Sequence, residues 1–245
     1  MVKKLYDINI FEGEKDTIQD FRNECKKLMD LKHDNLIKVL GASSPVKTVL
    51  WEFCTGTTLK DYVKINEVYP RTMVINVVRS LGKALGHLHH KGIIHGSVKS
   101  SNVFIMPDNT TKLTDYGFMD WKDGVVDFID PQYMAPELFN GESYREKIDV
   151  YSFGMLLYEL AAGEQPFSYV PEDEISHIVT SLNKRPELPQ ATPVLYKKIT
   201  HLCWATDPEQ RPSFHSINDQ LTKPEEVLFP ATIQFPIQSR TKQPP

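Results

Sequence analysis

His95-Gly96-Ser97-Val98-Lys99-Ser100-Ser101-Asn102, followed by Asp115-Tyr116-Gly117 and then by Ala135-Pro136-Glu137, is the stretch from which the rest of the chain can be read. The segments around the first two, GIIHGSVKSSNVFIM and KLTDYGF, read as short extended pieces, with Pro107-Asp108-Asn109 supplying a hairpin-like turn between them. Just upstream, Val74, Val77, Val78, Leu81, Ala84, Leu85 and Leu88 mark one face of a long helix over about residues 71–90. Downstream, DVYSFGMLLYELAAG is apolar almost all round and stops at Gly163, which predicts a central, buried helix. Shorter helices fit ISHIVTSLN, VLYKKITHLCW and FHSINDQL.

The first fifty residues have a different texture. MVKKLYDINI reads as a short strand ending in a turn. From Asp16 a helix pattern begins, with Asp16 as its cap, Gln19 three residues on, and Ile18, Phe21, Cys25 and Leu28 at helical spacing. Glu24 lies on the edge of that apolar stripe, where a carboxylate is either a solvated edge charge or a buried group that needs a cation. LKHDNLIKVLGA and TVLWEF read as two strands joined by Ser43-Ser44-Pro45. Residues 222–245 carry five prolines and little charge, and read as an extended tail. The order is a small strand-plus-helix unit, then a larger helical one.

Composition narrows the function classes. The chain has 245 residues, a net charge of −4 and 40% apolar residues, enough for a real core and an ordinary globular balance. Mild acidity gives no reason to expect nucleic acid or an anionic membrane as partner. Cys25, Cys54 and Cys203 lie far apart, which excludes a disulfide framework and suits a reducing, cytoplasmic setting. No apolar run approaches the roughly 20 residues of a membrane span, and the N-terminus has no signal-peptide core. His87, His89, His90 and His95 cluster without accompanying Cys or carboxylate ligands, so they fit a helix end and a loop better than a metal site. Lys3-Lys4 and Lys26-Lys27 are too short for a nucleic-acid patch and read as solvated faces.

Taken in order, the quoted motifs resemble the catalytic loop, metal-binding triplet and APE motif of protein kinases. Asp149-Val150-Tyr151-Ser152-Phe153-Gly154 and Cys203-Trp204 with Asp207-Pro208-Glu209-Gln210-Arg211-Pro212 look like large-lobe helices of the tyrosine-kinase-like group and of tyrosine kinases. Val2-Lys3 looks like the end of the VAIK strand, and Glu24 fits the αC position. The resemblance covers about residues 1–221 and implies an α+β bilobal fold with an incomplete small lobe over 1–54 and a large lobe over 55–221.

It also implies roles. Lys3 with Glu24 would hold the α- and β-phosphates of ATP. The backbone after Trp51, at Glu52-Phe53-Cys54, would meet adenine, while Trp51 itself either narrows the pocket or fills core. Asn102 and Asp115 would offer hard oxygen ligands to Mg²⁺, and Lys99 would neutralise the transferring phosphoryl group. Glu137 with Arg211 would be a structural ion pair, and Asp149 would brace the catalytic loop. In the plainer reading Lys3 is a terminal charge, Asn102 a turn former and Asp115 a loop cap.

Three departures from the family pattern point away from catalysis. Ser97 stands where the family has the Asp that accepts the substrate proton, and a serine is neither anionic nor basic near pH 7. Losing a positioned base costs roughly 10²–10⁴ in rate. Gly96 replaces the family's phosphate-reading Arg, and residues 118–132 contain no Ser, Thr or Tyr. Tyr133 beside them is either a phosphorylation site or a packing residue. No glycine precedes Gly13, so no glycine-rich phosphate loop is seen. The reading is therefore a pseudokinase acting as scaffold or allosteric regulator in phosphorylation signalling. It would bind ATP with Mg²⁺ weakly at most and partner other signalling proteins, an active kinase among them. The alternatives are an active Ser/Thr or Tyr kinase with an unconventional loop, and a truncated, non-functional relative.

Overall fold

The computed structural model describes residues 2–4, 15–43, 48–117, 130–143, 145–228 and 235–237, with side chains from Gln19 onward except at Asp20 and Thr48. The N-terminal part is a three-stranded antiparallel sheet and one helix. Strand β1 (Val2–Lys4) and β2 (Val39–Ser43) flank β3 (Thr48–Trp51), giving the order β1-β3-β2. Helix α1 (Lys15–Met29) turns the predicted stripe inward, with Phe21, Cys25 and Leu28 buried. It starts at Lys15, so Asp16 lies in its first turn rather than at the cap.

Only the end of the predicted strand over 31–42 is a strand. Before Val39 the chain is irregular, and Leu36 bridges in parallel to Leu113. The amide of Ile37 donates to Leu113 O (2.9 Å), and that of Leu113 to Asn35 O (2.8 Å). Leu31, Leu36 and Ile37 are apolar because they pack between the lobes, not because they alternate along a sheet.

The larger part opens with β4 (Thr57–Thr58) and α2 (Leu59–Ile65), capped by Thr58 Oγ1, which accepts from Asp61 N. Helix α3 (Arg71–His90) matches its predicted range, and its apolar face from Val74 to Leu88 is buried. The predicted hairpin is β5 (Val103–Ile105) and β6 (Thr111–Leu113), antiparallel, with β4 added at the edge. Its turn is fixed by Asn109 at φ +64° and by Asp108, whose Oδ1 accepts from the amide and hydroxyl of Thr110. After α4 (Pro136–Phe139), α5 (Lys147–Ala162) runs through the centre with every residue from Ile148 to Ala161 buried. Gly154 lets α7 approach, since a Cβ there would sit 2.9 Å from Cys203 Cβ. Around it lie α6 (Glu172–Thr180), α7 (Val194–Cys203), α8 (Phe214–Leu221) and α9 (Glu225–Leu228).

Of the proline-containing region after residue 221, residues 222–228 and 235–237 are described. Besides α9, Phe235 and Ile237 are buried against the large lobe, because this charge-poor segment has an apolar groove to enter.

Candidate functional site

The loop His95–Asn102 is held from below by Asp149, in the first turn of α5. Its Oδ1 accepts from Gly96 N, and its Oδ2 from His95 N and His89 Nε2, each at 2.8 Å. Burial alone would push this carboxyl up. The hydrogen bond and charge of His89, with the hydrogen bond from Gly96, outweigh it and hold the group below its ordinary value. Gly96 has φ +74°, a left-handed conformation that suits glycine, and so brings its amide onto Asp149. The ring of His95 ties the loop to the next segment. Its Nδ1 accepts from Ser97 N (3.1 Å), so the proton is on Nε2, which donates to Thr114 O (3.0 Å).

Ser97 is buried. Asn102 Nδ2 donates to Ser97 O (2.8 Å) and Ser97 Oγ (3.2 Å). Both amide hydrogens of Asn102 therefore face the loop, leaving Oδ1 as its acceptor for a cation. The amide of Thr114 donates to Asn102 O at 3.0 Å, which places Asp115 next to Asn102. Asp115 has φ +67° and Gly117 φ +81°. A Cβ at Gly117 would lie 2.9 Å from Leu28 Cδ1, so glycine allows α1 to close on this turn. Tyr116 between them is buried, donates to Ile37 O (2.7 Å) and meets Trp51 edge-on with centroids 4.9 Å apart. Trp51 is thus a core residue.

The other predicted site residues are placed less uniformly. Lys99 Nζ lies 3.1 Å from Asp130 Oδ1, a carboxylate from beyond the Asp-Tyr-Gly turn. Glu24 is partly buried on α1, with Lys27 4.0 Å away. Lys3 sits on β1 opposite Val49, but its side chain, and hence its pairing with Glu24, lies outside the described residues. The side chain of Glu52 faces Lys112 (3.6 Å), and its amide donates to Lys38 O, so that amide is taken. Cys54 Sγ donates to Met106 Sδ at 3.3 Å. What these two residues offer a ligand is backbone: the Glu52 carbonyl and the Cys54 peptide groups. Residues 118–129 of the predicted activation segment lie outside the described residues.

Sequence reasoning missed a buried acid. Glu159 of α5 accepts from Ser100 Oγ (2.7 Å) and Tyr133 Oη (2.5 Å), joining the loop to the segment before Ala135. Burial pushes Glu159 up, only partly offset by those hydroxyls, and pushes Tyr133 well up as well. The signal was present: one carboxylate in an otherwise apolar helical run needs donors. Tyr133 is a packing residue with its hydroxyl turned inward. Nearby, Arg211 makes a two-pronged pair with Glu137 (2.6 and 2.8 Å), donates to Ala205 O, Lys147 O and Thr206 O, and lies over the Tyr151 ring.

Asn102 and Asp115 are hard oxygen donors of the kind that bind Mg²⁺ alongside phosphates and water, so the site fits that ion. Among the described residues no group of three or more His, Cys, Asp or Glu could hold a metal alone, no helix is long and apolar enough to cross a membrane, and the cysteines are free.

Two lobes, a braced loop and an Asn–Asp pair at their junction define a kinase-type phosphotransfer fold. The sequence matches the protein tyrosine and serine/threonine kinase family over residues 2–221, and the chain belongs to that family. It is 30% identical over 207 residues to a dual specificity protein kinase of Dictyostelium discoideum, covering 83% of this chain and 16% of that protein. It is 28% identical over 218 residues to a serine/threonine/tyrosine-protein kinase of Arabidopsis thaliana, covering 86% and 56%. With mitogen-activated protein kinase kinase kinase 12 of Rattus norvegicus it shares 29% over 243 residues, covering 92% and 27%. The chain thus spans less than two thirds of each of these relatives.

Proposed function

We propose that this kinase domain is a pseudokinase: a cytoplasmic scaffold or allosteric regulator in phosphorylation signalling that binds Mg-ATP weakly and transfers phosphate poorly. The observation that carries the reading is Ser97. It occupies the base position with its hydroxyl bonded to Asn102 rather than to a carboxylate. Removing a positioned general base is expected to lower the rate by roughly 10²–10⁴, about 3–5 kcal/mol of barrier. Lys99 adds to this, since the cation that would face a phosphoryl group already has Asp130 beside it.

The rest of the site retains a nucleotide's minimum needs. The Glu52 carbonyl and Cys54 peptide groups would take adenine, Lys3 and Glu24 would steer the α- and β-phosphates, and Asn102 and Asp115 would hold the metal. Mg²⁺ would supply charge neutralisation between the phosphates. Calorimetric titration of residues 1–245 with ATP, with and without Mg²⁺ and repeated for Asp115→Asn, tests this. Weak, metal-dependent binding that is lost in Asp115→Asn is expected. Tight binding indifferent to metal, or none at millimolar ATP, would overturn the nucleotide part.

A further inference from the structure

The carbonyls at the end of a helix have no partner within it and must find one elsewhere. At the end of α5, Leu160 O accepts from Tyr69 Oη at 2.6 Å, and Ala161 O accepts from the amide of Ile237 at 2.7 Å. Tyr69 in turn bridges to Phe235, its amide donating to Phe235 O at 2.7 Å. The three residues Phe235–Ile237 are therefore bonded on one side to the segment before α3 and on the other to α5.

Side chains fill the same groove. The Phe235 ring is 0% exposed, stacks near-parallel on Tyr69 (6.3 Å, 18°) and leans on Tyr196 of α7 (6.4 Å). Tyr196 is itself anchored on α5 through Leu157 O (2.6 Å). Pro236 covers Gly163, where a Cβ would lie 2.6 Å from Pro236 Cβ, and Ile237 is 5% exposed. Two backbone hydrogen bonds in opposite directions, an aromatic socket, a seat for proline and an aliphatic slot are features by which proteins recognise short peptide segments.

We propose that the groove between the N-terminal approach to α3, the end of α5 and α7 is a recognition site for an aromatic–proline–aliphatic segment, with this chain's own Phe235–Ile237 as its intramolecular occupant. The site stands apart from nucleotide chemistry but touches the same helix end. Glu159, which directly precedes Leu160 in α5, is the residue that holds Ser100 and Tyr133. Occupancy thereby buttresses the helix end that ties the catalytic loop to the segment before Ala135, and a segment of the same pattern from another protein would compete for it.

The test uses the full chain carrying Phe235→Ala and Ile237→Ala, titrated with a fluorescent peptide of residues 231–241. The variant should bind this peptide, and a peptide with the same Phe235→Ala change should bind at least about tenfold more weakly. The wild-type chain should also bind at least about tenfold more weakly than the variant, because a tethered segment competes at an effective concentration in the millimolar range. Equal binding by variant and wild type, no binding by the variant, or indifference to the peptide's phenylalanine would overturn the proposal. Should the variant fail to fold, hydrogen exchange on the wild-type chain decides. The Tyr69 and Ile237 amides should be protected as core amides are, and free exchange at both would show the groove empty in solution.

Discussion

Replacing Asp149 with Asn keeps its shape and removes its charge. The carboxylate now serves three donors at 2.8 Å: His95 N, Gly96 N and His89 Nε2. An Asn has one acceptor oxygen, so its NH₂ group must face at least one backbone N–H, leaving that donor buried and unpaired. Each hydrogen bond to a charged group contributes about 1.5–3 kcal/mol, but bonds sharing one residue are not additive. Breaking a buried pair as a unit costs about 3–5 kcal/mol, and we expect Asp149→Asn to lose that much. For a chain of this length the loss corresponds to a fall in Tm of about 6–20 °C. Because Asp149 titrates below its unfolded value, its contribution is complete above about pH 4 and fades as pH falls through the folded value. Urea unfolding of both proteins from about pH 7 down to pH 3 should therefore show a gap that is constant near neutrality and narrows in acid. A gap below about 1 kcal/mol at neutral pH, or one that widens in acid, would refute the reasoning.

Two further outcomes follow from the same contacts. Glu137→Ala strands Arg211, which is 1% exposed, and should cost about 3–5 kcal/mol; thermal unfolding measures it, and replacing Arg211 by Met in the same variant should recover part of the loss. Tyr133→Phe removes the 2.5 Å donor to Glu159 and should cost about 1.5–3 kcal/mol by urea unfolding. Glu159 titrates above its unfolded value, so it favours the fold in acid and ceases to as pH rises through the folded value. Losing a donor raises it further, so the Tyr133→Phe deficit should grow as pH rises above the ordinary carboxylate range.

What the sequence made legible was whatever is local. Helix α3 over Arg71–His90 follows from periodicity, the central α5 from its all-round apolar run ending at Gly163, and the β5–β6 hairpin from Pro107-Asp108-Asn109. The Asn102–Asp115 neighbourhood was readable because the motif order encodes it; the Thr114 N to Asn102 O bond gives it geometry. Apart from the misplaced cap at Asp16, the misses are contacts across long separations. Residues 31–38 carry strand-like apolar side chains whose partner is Leu113 rather than a neighbouring strand. Glu159 acquires meaning only from hydroxyls 59 and 26 positions away. The Asp130 carboxylate beside Lys99 depends on where a loop returns, and burial of Phe235 depends on a groove built from three separate segments.

The central claim is that this kinase fold lacks an effective base at Ser97. Its most direct test is radiolabelled phosphate transfer to protein substrates by the pure full chain under Mg-ATP, beside Asp115→Ala and an active kinase relative. We expect incorporation at least about 10²-fold below the active relative and no higher than in Asp115→Ala. Robust turnover by the wild-type chain, abolished in Asp115→Ala, would contradict it.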